Sequence, residues 1–292
     1  MSFTFNGFAL DFTRGTTVMG ILNVTPDSFS DGGLYFEKDI AIERALQMVR
    51  DGAHIIDVGG MSTRPGSDPV PVEEEIRRTV PVIEAISGEI GVPVSIDTYR
   101  AEVAEKALKA GASMVNDISG LRFDPDMAKV AADAGAPVIV MHIKGTPRDM
   151  QKDPVYEALV PEILDYLRES ISIAEDAGAG QVIIDPGIGF GKTFDQNLEI
   201  INRLEDFVSL GRPVLVGASR KAFLGEILDG APRTGRLEGT AAVVAASILK
   251  GANIVRVHDV REMARVARVT DAIRFQSVEA SRIGPLSLAG KA

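Results

Sequence analysis

AGAPVIVMH (residues 134–142) is a short apolar run, rich in β-branched side chains, that opens on a small-residue turn and closes on a histidine. The arrangement returns in DGAHIIDV from Asp51, AGASMVND from Ala110, AGAGQVIID from Ala177 and KGANIVRVH from Lys250. GVPVSID from Gly91 and GRPVLVG from Gly211 begin instead on Gly-x-Pro, and TTVMGILN from Thr16 makes eight. Runs that are apolar nearly throughout suit parallel strands buried on both faces, and the preceding glycines suit the C-terminal ends of helices. Between the runs, DIAIERALQMVRDG and AEVAEKALKAG repeat Ala, Val and Leu at three- and four-residue spacing, the period of an amphipathic helix. Eight such units in series predict an α/β chain closed into a (β/α)8 TIM barrel. An open doubly wound sheet would leave less apolar edge strands, and none of the eight qualifies. Asn6-Gly7, set between alternating apolar residues in FTFNGFALDFTRG, predicts a β-hairpin at the barrel bottom. Residues 1–275 read as one barrel, and the polar, Gly/Pro-containing tail 276–292 reads as frayed.

Composition sets outer limits. The chain has 292 residues, 45% apolar and 25% charged, which is ordinary globular stock, and barrels reach this length as one domain. No apolar run approaches the roughly 20 residues that cross a bilayer, and the N-terminus lacks a basic-then-apolar leader, so a cytoplasmic location with no membrane partner is expected. With no cysteine, disulfides and thiolate metal sites are excluded. A net charge of -10 argues against nucleic acid as a partner, because phosphate backbones require a basic surface.

The strand ends carry the functional signal. The runs finish in Asn23, Asp57, Asp97, Asn116-Asp117, His142 and Asp185, lead into Ser219 and Lys221, and close with Arg256 and His258. In a barrel these converge on the C-terminal face, where such folds keep their chemistry. Polar groups are costly to bury unpaired, so a ring of them at one mouth calls for a ligand. Two halves emerge. Asp97, Asn116 and Asp185 could read a flat heterocycle through its N–H edge, while Thr63, Arg256 and His258 suit a phosphate-type leaving group, with Asn23 offering one oxygen to a Mg2+ that arrives with the substrate. Asp57 and Asp117 read as helix caps, His54 as structural at the far end, His142 as orienting a neighbour, and Lys192 as a solvated loop charge. The glycines of DPGIGFG do not match a dinucleotide fingerprint.

Longer motifs carry a resemblance. MGILNVTPDSFSDGG from Met19 and IIDVGGMSTRPG from Ile55 resemble the first two signatures of the dihydropteroate synthase family, followed by SIDT at 95, NDISG at 116, MHIKGTPRDMQ at 141, DPGIGFGK at 185, GASRKAFLG at 217 and RVHDV at 256. The resemblance runs from the hairpin to about residue 275. It implies a TIM barrel that joins p-aminobenzoate to 6-hydroxymethyl-7,8-dihydropterin pyrophosphate, with Mg2+ as cofactor, through early C–O cleavage to a pterin-stabilised cation. It further implies a homodimer and affinity for sulfonamides. Carried over by position, Asp97, Asn116, Asp185 and Lys221 resemble pterin contacts, with Asp97, Lys221 and Asp185 the catalytic set. Asn23, Thr63, Arg256 and His258 resemble the pyrophosphate contacts, Asn23 also being the metal ligand. Arg64, Pro65, Phe190 and Ser219 resemble the p-aminobenzoate site. Ser28, Phe29 and Asp31 would belong to a lid that shields the cation from water, with STRPGSDP (62–69) as a companion loop, both expected to be mobile without ligand. Two alternatives differ in what they would need. A pterin-binding methyltransferase has no use for the RPG, SRK and TPDSFSDGG segments, and a catalytically idle paralogue would have lost members of the ring.

Overall fold

The computed structural model describes residues 1–25, 34–282 and 284–289. The chain opens with β1 (Ser2–Phe5) and β2 (Phe8–Asp11), an antiparallel hairpin in register Phe5↔Phe8. Its turn uses Asn6 at φ +43° and Gly7 at φ +80°, the two left-handed positions of a tight hairpin turn. Eight parallel strands follow: β3 (Thr17–Asn23), β4 (Ile55–Gly59), β5 (Val94–Asp97), β6 (Met114–Asp117), β7 (Val138–Met141), β8 (Val182–Asp185), β9 (Leu215–Val216) and β10 (Ile254–Val257). They hydrogen-bond in the order β8-β7-β6-β5-β4-β3-β10-β9, and a parallel bridge Ile184↔Val214 draws β8 to the β9 segment and closes the ring. All eight expected runs are strands of this barrel. The intervening helices include Leu34–Arg50, Val72–Ser87, Ala101–Lys109, Leu159–Asp176, Leu237–Leu249 and Val260–Phe275. Among the described residues, no helix is long and apolar enough to cross a membrane.

The hairpin plugs the barrel floor. Phe3, Phe5, Leu10 and Phe12 pack in one buried cluster with Met19, Ile55, Met114, Ile139, Ile183, Leu215 and Ile254, inward-facing residues of seven of the eight strands. Side chains alternate along a strand, so these floor residues fix the parity of everything above them: positions two or four further on also face inward. Separately, Thr16 donates through its backbone N–H and its hydroxyl to the Asp271 carboxylate, at 2.7 and 2.9 Å, tying the last helix to the start of β3.

The tail corrects the expectation of fraying. Leu286–Leu288 forms β11, antiparallel to β2 with Leu286↔Leu10 and Leu288↔Phe8. The cause is tertiary. β2 pairs with β1 along one edge only, and its other edge offers unpaired donors and acceptors that a returning segment satisfies.

Candidate active site

The strand ends surround a cavity of about 530 Å3 at the C-terminal mouth. Asn23, Thr63, Arg64, Pro65, Asp97, Phe190, Ser219, Lys221, Arg256 and His258 all line it. Asn116 and Asp185 adjoin it as buried side chains. Ser28, Phe29 and Asp31, with the lid expected of their loop, lie outside the described residues.

Register explains the convergence. Asn23 pairs with Gly59, Gly59 with Asp97, and Asp97 with Asn116, so one row crosses β3 to β6 at the height of the mouth. Parity then sorts the neighbours. Asn116 is two residues beyond the floor residue Met114 and turns inward, whereas Asp117 turns away and caps the following turn, accepting from Ser119 N at 2.7 Å and Leu121 N at 3.1 Å. That is the helix-cap type of role expected for Asp117.

For Asp57 the cap reading is corrected. Asp57 is two beyond the floor residue Ile55, is wholly buried, and accepts on Oδ2 from Arg256 Nε at 2.6 Å and from Asn116 Nδ2 at 3.0 Å. The same Arg256 donates through Nη2 to Asp97 Oδ2 at 2.6 Å. The two expected halves of the mouth therefore meet, since the guanidinium sits between Asp97 of the acidic half and Asp57, which the cap reading leaves out of it. Removing one partner from such a buried group costs about 3–5 kcal/mol, because a charge is left without compensation.

Lys192 is the second correction. It is 1% exposed, not solvated, with Nζ donating to Phe190 O at 2.9 Å and lying 2.9 Å from His142 Nδ1. The chain reaches this geometry by folding back on itself at Gly187 and Gly191. Both have positive φ, and a Cβ there would lie 1.9 Å from His142 O and 2.5 Å from Lys144 O. Gly189 N donates to Asn197 Oδ1 at 2.6 Å, and Tyr156 donates to Gly191 O at 2.6 Å, completing the clamp. His142 packs edge-on to Tyr166 at 4.7 Å and meets the Lys192 ammonium at 2.9 Å. His54 at the far end accepts from Val18 N at 3.0 Å, in keeping with its structural reading.

Burial tunes the charges. It pushes Asp97 up to about 7 against the pull of Arg256, and Asp185 up to about 6 although Asp185 accepts from Gly187 N at 2.7 Å. Desolvation, with Arg256 nearby, lowers Lys221 to about 8, and its ammonium lies 4.0 Å from the Phe190 ring centroid. Desolvation and the surrounding arginines hold His258 down to about 3, so the ring is neutral. Ser219 Oγ accepts from the His258 backbone N–H at 3.2 Å and meets Nδ1 at 3.0 Å.

Arg220, Arg233 and Arg236, which sequence reasoning passed over, also line the cavity. Arg236 braces the turn through the Arg220 and Lys221 carbonyls, at 3.1 and 3.2 Å. Partial burial, and after it the neighbouring Arg64, Arg220 and Arg236, lower Arg233 from its usual value. Arg233 and Arg236 lie far from any strand end, whereas Arg220 stands between Ser219 and Lys221, which the strand-end reading selected. The described residues contain no group of three His, Cys, Asp or Glu able to hold a metal. The Asn23 amide at the cavity wall fits an ion carried in by an anionic substrate, not one caged by the chain.

A profile of the family described as "Pterin binding enzyme" matches residues 19–258. The dihydropteroate synthase of Bacillus subtilis is 52% identical over 267 residues, covering 91% of each chain. The crystal structure of the Yersinia pestis dihydropteroate synthase with a sulfonamide drug complex superposes with a TM-score of 0.88 at 39% identity, covering 95% of this chain and 100% of that one. A Xanthomonas albilineans dihydropteroate synthase in complex with 7,8-dihydropteroate gives 0.82 at 38% identity, covering 91% and 96%.

Proposed function

We infer the chemistry from one premise: the chain belongs to the pterin-binding enzyme family, among its dihydropteroate synthases. It is a transferase of folate biosynthesis that condenses p-aminobenzoate with 6-hydroxymethyl-7,8-dihydropterin pyrophosphate to give 7,8-dihydropteroate and pyrophosphate, and it is a sulfonamide target. The observation that carries this reading onto these residues is the mixed mouth. Asp97 of β5 stands in one cavity with Arg256, Lys221 and His258, and behind it Arg256 and Asp97 join the buried acceptors Asp57 and Asn116 of β4 and β6.

Each residue then has a task. Asp185 and Asn116 accept from the N–H edge of the pterin while Lys221 donates to its carbonyl edge, which holds the ring in one plane. Arg256, a neutral His258 and Thr63 receive the diphosphate, so charge that builds on the leaving oxygen meets donors already oriented. Asn23 would hold Mg2+ on that diphosphate, and the ion would supply Lewis-acid stabilisation of the leaving group. Asp97 supports positive charge as the C–O bond opens, and an anion at that position lowers the barrier only if it is already in place. Arg64, Pro65, Phe190 and Ser219 take the aminobenzoate ring and carboxylate. The clamp under Lys192 keeps Phe190 at the cavity wall. Ser28, Phe29 and Asp31 complete this reading as a lid.

The test is pyrophosphate release from the dihydropterin substrate and Mg2+, with and without p-aminobenzoate. Release that requires p-aminobenzoate, matched by dihydropteroate, is expected; binding without turnover would overturn the reading. We also propose a homodimer. Its support is the exposed Leu249, Val269 and Ile273 on the two C-terminal helices, at 52%, 62% and 62% exposure. Sedimentation should give twice the 31.1 kDa chain mass, and a monomer at micromolar concentration would refute it.

A further inference from the structure

We propose that Asp57 is a positioning residue for substrate recognition, one that holds the Asn116 side chain with its oxygen toward the pterin. An asparagine amide is two-faced, offering an acceptor or a donor depending on a half-turn about its last bond. A site that must accept from a ring N–H works in only one of those states. Asp57 decides between them. Its carboxylate can only accept, and it stands 3.0 Å from Asn116, so the nitrogen must face Asp57. The oxygen is left as the free end, and it has no partner among the described residues.

The arrangement is built, not incidental. Asp57 is 0% exposed, and its Oδ2 takes both Asn116 and Arg256 while Oδ1 has no partner among the described residues. Taking a carboxylate out of water is costly, and Asp57 offsets that cost through the two groups it holds, Arg256 and Asn116. Asn116 lies opposite Asp97 in register, and Asp185 is buried beside Gly217 of the cavity wall. With the amide held this way all three present acceptors, so the site selects a ligand edge made of donors. A flipped Asn116 would set its NH2 against the ring N–H and lose the contact. By holding Arg256 on the same oxygen, Asp57 also places the pyrophosphate-side cation and the pterin-side amide relative to each other.

This inference rests on the pterin reading of the site, and calorimetry with 6-hydroxymethyl-7,8-dihydropterin, without diphosphate, separates the two. If the unaltered protein does not bind that pterin, the reading itself fails. If it does, Asp57→Ala should weaken binding roughly tenfold or more, because one buried hydrogen-bond partner is lost. Asp57→Asn, whose amide oxygen can still accept from Asn116, should bind within about threefold of the unaltered protein. In an Asn116→Ala background, Asp57→Ala should cost less than about threefold, since its effect runs through the amide. Undiminished binding by Asp57→Ala would overturn the proposal, as would an equal loss with and without Asn116, or no rescue by Asp57→Asn. A purely structural role would lower the melting temperature and cost the same in both backgrounds. Should Asp57→Ala not fold, the side-chain amide protons of Asn116 in the unaltered protein carry the test by NMR. They should exchange slowly with and without pterin, and exchange as fast as that of an exposed asparagine would overturn the proposal.

Discussion

Asp185, Asp97 and Lys221 owe their altered acidities first to burial, and their tasks impose opposite requirements. A carboxyl group accepts from a ring N–H most strongly when ionised, and a lysine donates most strongly when charged. Pterin affinity should therefore rise with pH through about 6 to 7, where Asp185 and Asp97 lose their protons, and fall through about 8 as Lys221 loses its own. Calorimetry with free dihydropterin from about pH 5 to 9 checks this, and a flat profile would contradict it. Which residues belong at the mouth was readable from strand-end position. How each one faces was also within reach, through the period-two parity that separates Asn116 from Asp117 and puts Asp57 inside. The partner of each was not, because Asp57 and Arg256 are 199 positions apart and meet only when β10 closes against β3.

At the scale of elements, floor and mouth are separate devices. The hairpin fills the floor with Phe3, Phe5, Leu10 and Phe12, far from the row Asn23, Asp97 and Asn116 at the opposite end of the strands. Phe12 is buried in the floor cluster, packed edge-on to Phe3 at 5.2 Å. Phe12→Ala should cost about 3–5 kcal/mol in urea unfolding while leaving both KM values unchanged. A raised KM with unaltered stability would show instead that floor and mouth are coupled. The hairpin was legible because Asn-Gly between alternating apolar residues dictates a turn by backbone geometry alone. β11 was not legible, since its three residues gain their strand character from the free edge of β2. The loop after β8 misled for a related reason. Lys192 reads as solvated by composition, yet left-handed glycines on either side of Phe190 aim it into the interior, where His142 and a carbonyl receive it.

For the whole molecule, overall and local charge oppose each other. A net charge of -10 would repel an anionic substrate, and added salt would then improve its capture. The mouth reverses that sign locally, with Arg64, Arg220, Arg233, Lys221 and Arg256 lining one cavity. Screening acts over about 8–10 Å at moderate salt, so an incoming diphosphate is governed by the nearby cations. KM for the pterin pyrophosphate should rise several-fold between about 0.05 and 0.5 M salt, and a fall would mean that the overall charge governs. Taken alone, the amino-acid sequence determined the barrel, its hairpin and the ring of polar strand ends, because apolar periodicity, glycine punctuation and strand-end position are local properties of the chain. Only the tertiary structure decided that Arg256 lies across Asp57 and Asp97, that Lys192 is buried, and that the tail returns as a strand. Those outcomes depend on which distant groups closure of the barrel brings within hydrogen-bonding reach, and no local pattern encodes that.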